Sequence, residues 1–181
     1  MTSGHASSAT PGAITTATAD ATSDATPDNT AAAPATPERS IARAIEWDCS
    51  QLLLRFYDCF DNFDYAGMAA LFTQGGVWHR AGKALAGREA IVAELDKRPR
   101  TQTMRHVVSN LLVTAHTAQE ASASCYITAY RHDDGKPSSS VPVIASPYLM
   151  LVATARFTRT PDGWQMTEQV MKREFEFANA G

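Results

Sequence analysis

The chain is 181 residues long, 44% hydrophobic and 19% charged, with a formal net charge of −3 at pH 7. That is enough for one domain with a real core and too little for two well-built ones. Arg39 and four acids (Asp20, Asp24, Asp28 and Glu38) lie in the first 40 residues, which leaves 15 basic against 15 acidic residues beyond them, and so neutral a body argues against a nucleic-acid or anionic-membrane surface.

Residues 1–40 are mostly Ala, Thr, Ser and Pro, carry no aromatic residue and have Ile14 as their only branched aliphatic. Such a segment cannot bury enough apolar surface to offset its ordering entropy, so the composition predicts a disordered tail over 1–40 and one folded domain over 41–181. No basic and apolar leader stands at the N-terminus, no run approaches the ~18 apolar residues of a membrane span, and Cys49, Cys59 and Cys125 share no metal-ligand spacing. A cytoplasmic, reduced protein with no cofactor and no metal is the expectation.

From Ile45 onward Cys49, Leu52, Leu53, Phe56 and Phe60 recur at steps of three and four, which predicts an amphipathic helix of roughly four turns. Asp64 reads as the cap of a second, shorter helix with Met68, Leu71 and Phe72 inward, ended by Gly75-Gly76. "GVWHRAGKALAG" reads as a hairpin around Ala81-Gly82-Lys83, and "GREAIVAELDKR" as a third helix stopped by Pro99. Lys97, Arg98, Arg100 and Arg105 lack interleaved aromatics and read as a solvated helix end. Four β-rich runs follow, "HVVSNLLVTAH", "EASASCYITAYRH", "SPYLMLVATARFTRT" and "GWQMTEQVMKREFEF", with short polar turns that imply antiparallel pairing. "DDGKPSSSVPVIAS" is a longer connection whose prolines exclude a central strand. Helices first and strands afterwards is the α+β order, three helices covering one face of a curved, mainly antiparallel sheet.

The words "FYDCFDNFDYAGMAALF", "GREAIVAEL", "RHVVSN", "TAYRH" and "PDGW" with the closing "REFEF" occur in this order between about residues 43 and 178. As a set they resemble the nuclear-transport-factor-2-like (NTF2-like) superfamily, in its SnoaL-like and scytalone-dehydratase-like branch. The resemblance implies a cone-shaped α+β barrel with a pocket between helices and sheet, a fold that hosts dehydratases, isomerases, cyclases, dioxygenase small subunits and binding modules.

Asp61 lies where the first helix ends, an unfavourable place for an anion, and a local cost of that kind implies a partner. By resemblance Asp61 takes the position of the dehydratases' acidic residue and His106 that of their principal histidine, as a hydrogen-bonded catalytic pair. A carboxylate accepting one imidazole N–H fixes the tautomer and leaves the other ring nitrogen to move a proton. The other reading, in which His106 only satisfies Asp61 at the start of a buried strand, stays open. Alternation in "CYITAYR" puts Cys125, Ile127, Ala129 and Arg131 on one face, with Arg131 where scytalone dehydratase has a second pocket histidine. Val152, Thr154 and Phe60 depart from that enzyme's polar residues as well, which argues against scytalone itself as substrate. Trp78 and His79 are strand neighbours, so one of them faces the pocket, and His79 is favoured over Trp78. Tyr57, Phe60 and Phe175 complete the expected substrate-binding set, Phe175 as part of a terminus folding across the pocket mouth.

The reading that follows is a cofactor-independent dehydratase or isomerase acting on a hydrophobic, oxygenated small molecule such as a polyketide, steroid-like or aromatic intermediate. The alternatives are a non-catalytic assembly protein like the small subunit of ring-hydroxylating dioxygenases, and a small-ligand-binding module. Apolar residues on both parities of "YLMLVATARF" predict that a second copy of the chain covers the sheet, giving a dimer or trimer.

Overall fold

The structure, a computed structural model, describes residues 36–137 and 140–178. Thr36 opens the first helix, α1 (Pro37–Asp61): its hydroxyl accepts from the Arg39 amide, Pro37 fills the first turn, and Glu38 meets the positive end of the dipole. Residues 37–40 therefore belong to the helix and not to the tail predicted over 1–40, because Thr-Pro-Glu is start-signal chemistry that composition alone hides. The expected tail up to residue 35 lies outside the described residues. At 25 residues α1 makes about seven turns rather than four. Its predicted stripe, Ile45 through Phe60, is its buried face.

Asp64 caps α2 (Tyr65–Ala70), its carboxylate accepting from the Gly67 amide at 2.8 Å. The chain then enters β1 (Phe72–Arg80) at once, so Gly75-Gly76 lies inside a strand and does not end the helix. The reason is steric: a Cβ on Gly76 would come within 2.9 Å of the Met166 carbonyl oxygen and 3.0 Å of Phe72 Cβ, where β1 shifts register against its neighbour between Phe72 and Val77. β2 (Lys83–Ala86) closes the hairpin through Ala81 and Gly82, both at positive φ, and α3 (Arg88–Leu95) follows.

The remaining strands are β3 (Thr103–Ala115), β4 (Glu120–His132), β5 (Leu149–Thr160) and β6 (Gly163–Glu176). They form one six-stranded sheet in the order β2-β1-β6-β5-β4-β3, antiparallel throughout except where β1 runs parallel to β6. α1 crosses β3, β4 and β6 on one face, while α2 and α3 cover β1. The core lies between these layers, with Phe56, Phe72, Trp78, Met68 and Met166 fully buried. Small residues on the inner face, Ala129 and Ala153, leave space beneath α1 that larger side chains would fill. This is the α+β arrangement of three helices on a mainly antiparallel sheet that the element order predicts. No helix among the described residues is long and apolar enough to cross a membrane.

Candidate active site

The last turn of α1 delivers Asp61 against the first residues of β3. The His106 amide donates to Asp61 Oδ2 at 2.8 Å, and His106 Nδ1 lies 2.6 Å from Oδ1. Both side chains are nearly buried, 5% exposed for His106 and 10% for Asp61. A carboxylate can only accept, so this geometry places the imidazole proton on Nδ1 and turns Nε2 outward with its lone pair. No described residue holds Nε2. A 45-residue separation in sequence is closed by two charge-assisted hydrogen bonds that fix both backbone and ring.

The anion at the negative end of α1 has further help. Arg98 donates to the Phe60 carbonyl at 2.7 Å and to the Gln102 carbonyl at 3.0 Å, and its guanidinium lies 4.0 Å from the Phe63 ring centre. Arg98 is thus part-buried and caps α1 rather than belonging to a solvated helix end, and burial lowers its pKa from the ordinary value. Arg105 sits on the other parity of β3, exposed, and reaches back to the Met104 carbonyl at 2.7 Å.

Aromatic rings enclose the imidazole. Phe60 meets it edge-on at 5.0 Å and 90°, and Tyr57 lies 5.2 Å away. The Tyr57 hydroxyl accepts from buried Gln169 at 3.4 Å, and burial pushes its pKa well above the ordinary value, so it stays a phenol. Together these groups form one wall of a cavity of about 470 Å³, within the range of small-molecule sites. Trp78, Met104, Leu151 and Met171 supply apolar surface, and among the described residues Arg80 and Arg173 are its only charged lining groups. A larger hollow of about 830 Å³ lies on the opposite sheet face around Ser124, Thr154 and Val170, away from the Asp61–His106 pair. Its His116 and Glu168 are engaged with Ser122 and His79 on the outer face, whereas the smaller cavity holds a nearly buried imidazole oriented by a carboxylate, so the smaller cavity is the candidate site.

Of the residues expected around the pair, Tyr57, Phe60 and Trp78 line this cavity and His79, Arg131 and Phe175 do not. Trp78 is the inward residue of the hairpin, 0% exposed, which turns His79 to the outer face, where Nε2 lies 3.1 Å from Glu168. Arg131 keeps the inner parity of β4 but sits at its exposed end, stacked 3.7 Å from the Tyr148 ring centre in a smaller adjoining pocket. Phe175 fails through a register shift: Leu151 pairs with Arg173 but Met150 with Phe175, so the irregularity at residue 174 turns Phe175 outward, 59% exposed. Phe177, two residues on, lines the adjoining pocket. Arg80, Tyr148 and Arg173 escape sequence reasoning. Arg80 has a readable signal, since it shares a strand face with Trp78 two residues earlier.

Among the described residues no group of three or more His, Cys, Asp or Glu is placed to hold a metal ion. Cys49, Cys59 and Cys125 are free and buried.

No curated protein matches this sequence. Solved structures share the fold. An NTF2-like protein with a cystatin-like fold from Novosphingobium aromaticivorans superposes with a TM-score of 0.60 at 21% identity, over 71% of this chain and 82% of its own. ActVI-ORFA from Streptomyces coelicolor gives 0.59 at 17%, over 72% and 98%. A candidate scytalone dehydratase from N. aromaticivorans gives 0.58 at 13%, over 77% and 93%. A family model for the SnoaL-like domain matches residues 43–170, a span that runs from α1 through the Asp61–His106 pair and into β6, and the chain belongs to that family.

Proposed function

We propose that the protein is a cofactor-independent dehydratase or isomerase, acting by acid–base chemistry on a hydrophobic, oxygenated small molecule of polyketide, steroid-like or aromatic type. The observation that carries this is the Asp61–His106 pair in the wall of a largely apolar cavity, with Nε2 unclaimed by any described residue. Nε2 takes the proton from a carbon alpha to a carbonyl, and the electron pair passes into an enolate. Asp61 holds the imidazolium that results. Returning the proton to a β-hydroxyl expels water and leaves the enone; returning it to another carbon completes an isomerisation. Apolar walls limit competing water at the reacting carbon. The likeness to a candidate scytalone dehydratase supports dehydration as the first reaction to try. Three buried free thiols suit a reducing compartment, and we place the enzyme in the cytoplasm.

Screening β-hydroxy-carbonyl compounds for enone absorbance tests the reading. His106→Ala and His106→Gln are expected to fold normally and lose on the order of 10² to 10⁴ in kcat. Unchanged turnover in either variant refutes it, and saturable binding with no turnover of any compound favours the ligand-binding module.

A further inference from the structure

Arg80 ends β1 at the mouth of the candidate site, and its surroundings are unusual for a guanidinium. Its carbon lies 5.3 Å from the Trp78 ring centre and 5.5 Å from that of Phe60. No described residue forms an ion pair or hydrogen bond with it. Glu94 is the acid whose field reaches it, but both Glu94 oxygens are occupied, by Lys83 at 2.7 Å and Lys97 at 2.8 Å. Arg98 adds like charge nearby. Arg173, the second cation of the lining, is paired with Glu176. Burial lowers the Arg80 pKa from its ordinary value, which expresses the same cost: a partly desolvated cation with no anion among the described residues bound to it. Two aromatic faces offset a fraction of that cost. No carboxylate of a described residue lines the cavity.

We propose that Arg80 is the specificity-determining residue of this site and that the substrate carries a carboxylate, which the Arg80 fork receives at the cavity mouth. The inference rests on the acid–base reading for what happens at the other end of the molecule, and the Phe60 ring touches both groups. The imidazole centre is 5.0 Å from that ring centre and the guanidinium carbon 5.5 Å, so the imidazole and the guanidinium stand no more than about 10.5 Å apart, within the span of one ring-bearing molecule. A planar fork matches a carboxylate in a bidentate pair, and the apolar walls between suit a ring body. The substrate class is therefore a cyclic or aromatic hydroxy-carbonyl acid rather than its neutral counterpart.

Calorimetric titration with 2-naphthoate and the near-isosteric 2-naphthamide tests this without requiring turnover. The wild-type protein is expected to bind the carboxylate about tenfold or more tightly over the amide, the size of one charge-assisted contact. Arg80→Gln should level the two affinities. Arg80→Met, whose unbranched stem still covers Phe60 and Trp78, should do the same if the glutamine variant fails to fold. His106→Ala should keep the preference while losing turnover, so a failure of the acid–base reading and a failure of this one are told apart. Equal affinities in the wild type, binding of neither probe, or a preference that survives both Arg80 variants overturns the proposal. So does a preference abolished by Arg173→Gln instead, or inorganic phosphate that binds the site more tightly than naphthoate.

Discussion

Replacing Asp61 by asparagine separates the structural work of the carboxylate from its chemical work. In the native pair two N–H groups of His106 converge on two carboxylate oxygens at 2.8 and 2.6 Å. An amide has one acceptor and one donor end, so it can accept from the His106 backbone only while presenting its NH2 to Nδ1. The ring then moves its proton to Nε2, both contacts survive, and the nitrogen that faces the cavity is no longer a base. Two charge-assisted bonds become neutral ones, a loss of about 1 kcal/mol each, and removing an anion from the negative end of α1 returns about 0.5 kcal/mol. A net cost of roughly 1.5 kcal/mol corresponds to a fall in Tm of about 3–6 °C for a domain of this size. Turnover should fall by about 10³ or more, as a wrong tautomer requires. Nitrogen-15 chemical shifts of the His106 ring report the tautomer, and calorimetric melting reports the cost. Full turnover in Asp61→Asn, with the ring proton found on Nε2, would refute the assignment of that nitrogen as the base. Asp61→Ala, by contrast, leaves two donors facing a void and should cost about 3–5 kcal/mol.

Cys49 and Cys125 are pushed up to about 12 by burial, so folding favours their protonated forms; stability is complete below the ordinary thiol pKa near 9 and is lost as pH rises from there towards 12. Denaturant midpoints across that window check the sign, and iodoacetamide should leave both thiols unmodified at about pH 8 in the folded protein. A chain beginning at Ala35 should melt like the full-length protein, whereas one beginning at Ile41 loses the Thr36 cap and first turn of α1 and should melt lower by about 0.5–2 kcal/mol of stability. Leu112, Tyr126, Val170 and Phe175 are exposed on the outer face of the sheet, and sedimentation is expected to show a dimer or trimer that Leu112→Glu weakens.

The layered fold is legible in the sequence because its signals are local. The 3.6-residue stripe of α1, the Asp64 cap, the Ala81-Gly82 turn and the alternation of β4 each specify their element within a few residues. What the sequence conceals is non-local or turns on a single residue. The length of α1 is hidden because Thr36-Pro37-Glu38 lies in a stretch whose composition reads as tail. Arg98 resembles surface charge because its acceptor, the Phe60 carbonyl, is 38 residues away. Phe175 reads as inward because nothing in "MKREFEF" announces the irregularity that inverts parity after Arg173.

The hairpin shows how one parity choice governs the functional reading. Placing His79 inward sends Trp78 and Arg80 outward together, and leaves the cavity an imidazole pair with no cation from β1 at its mouth. Burial decides otherwise: an indole gains more than an imidazole from leaving water, and Trp78 packs against Phe56 at 5.4 Å with its N–H reaching Met171 Sδ at 3.2 Å. Once Trp78 is inside, strand alternation brings Arg80 in two residues later. His79 meanwhile satisfies Glu168 on the far face. The apolar demand of one side chain thus sets the charge of the site, and with it the kind of molecule the Asp61–His106 pair can be offered.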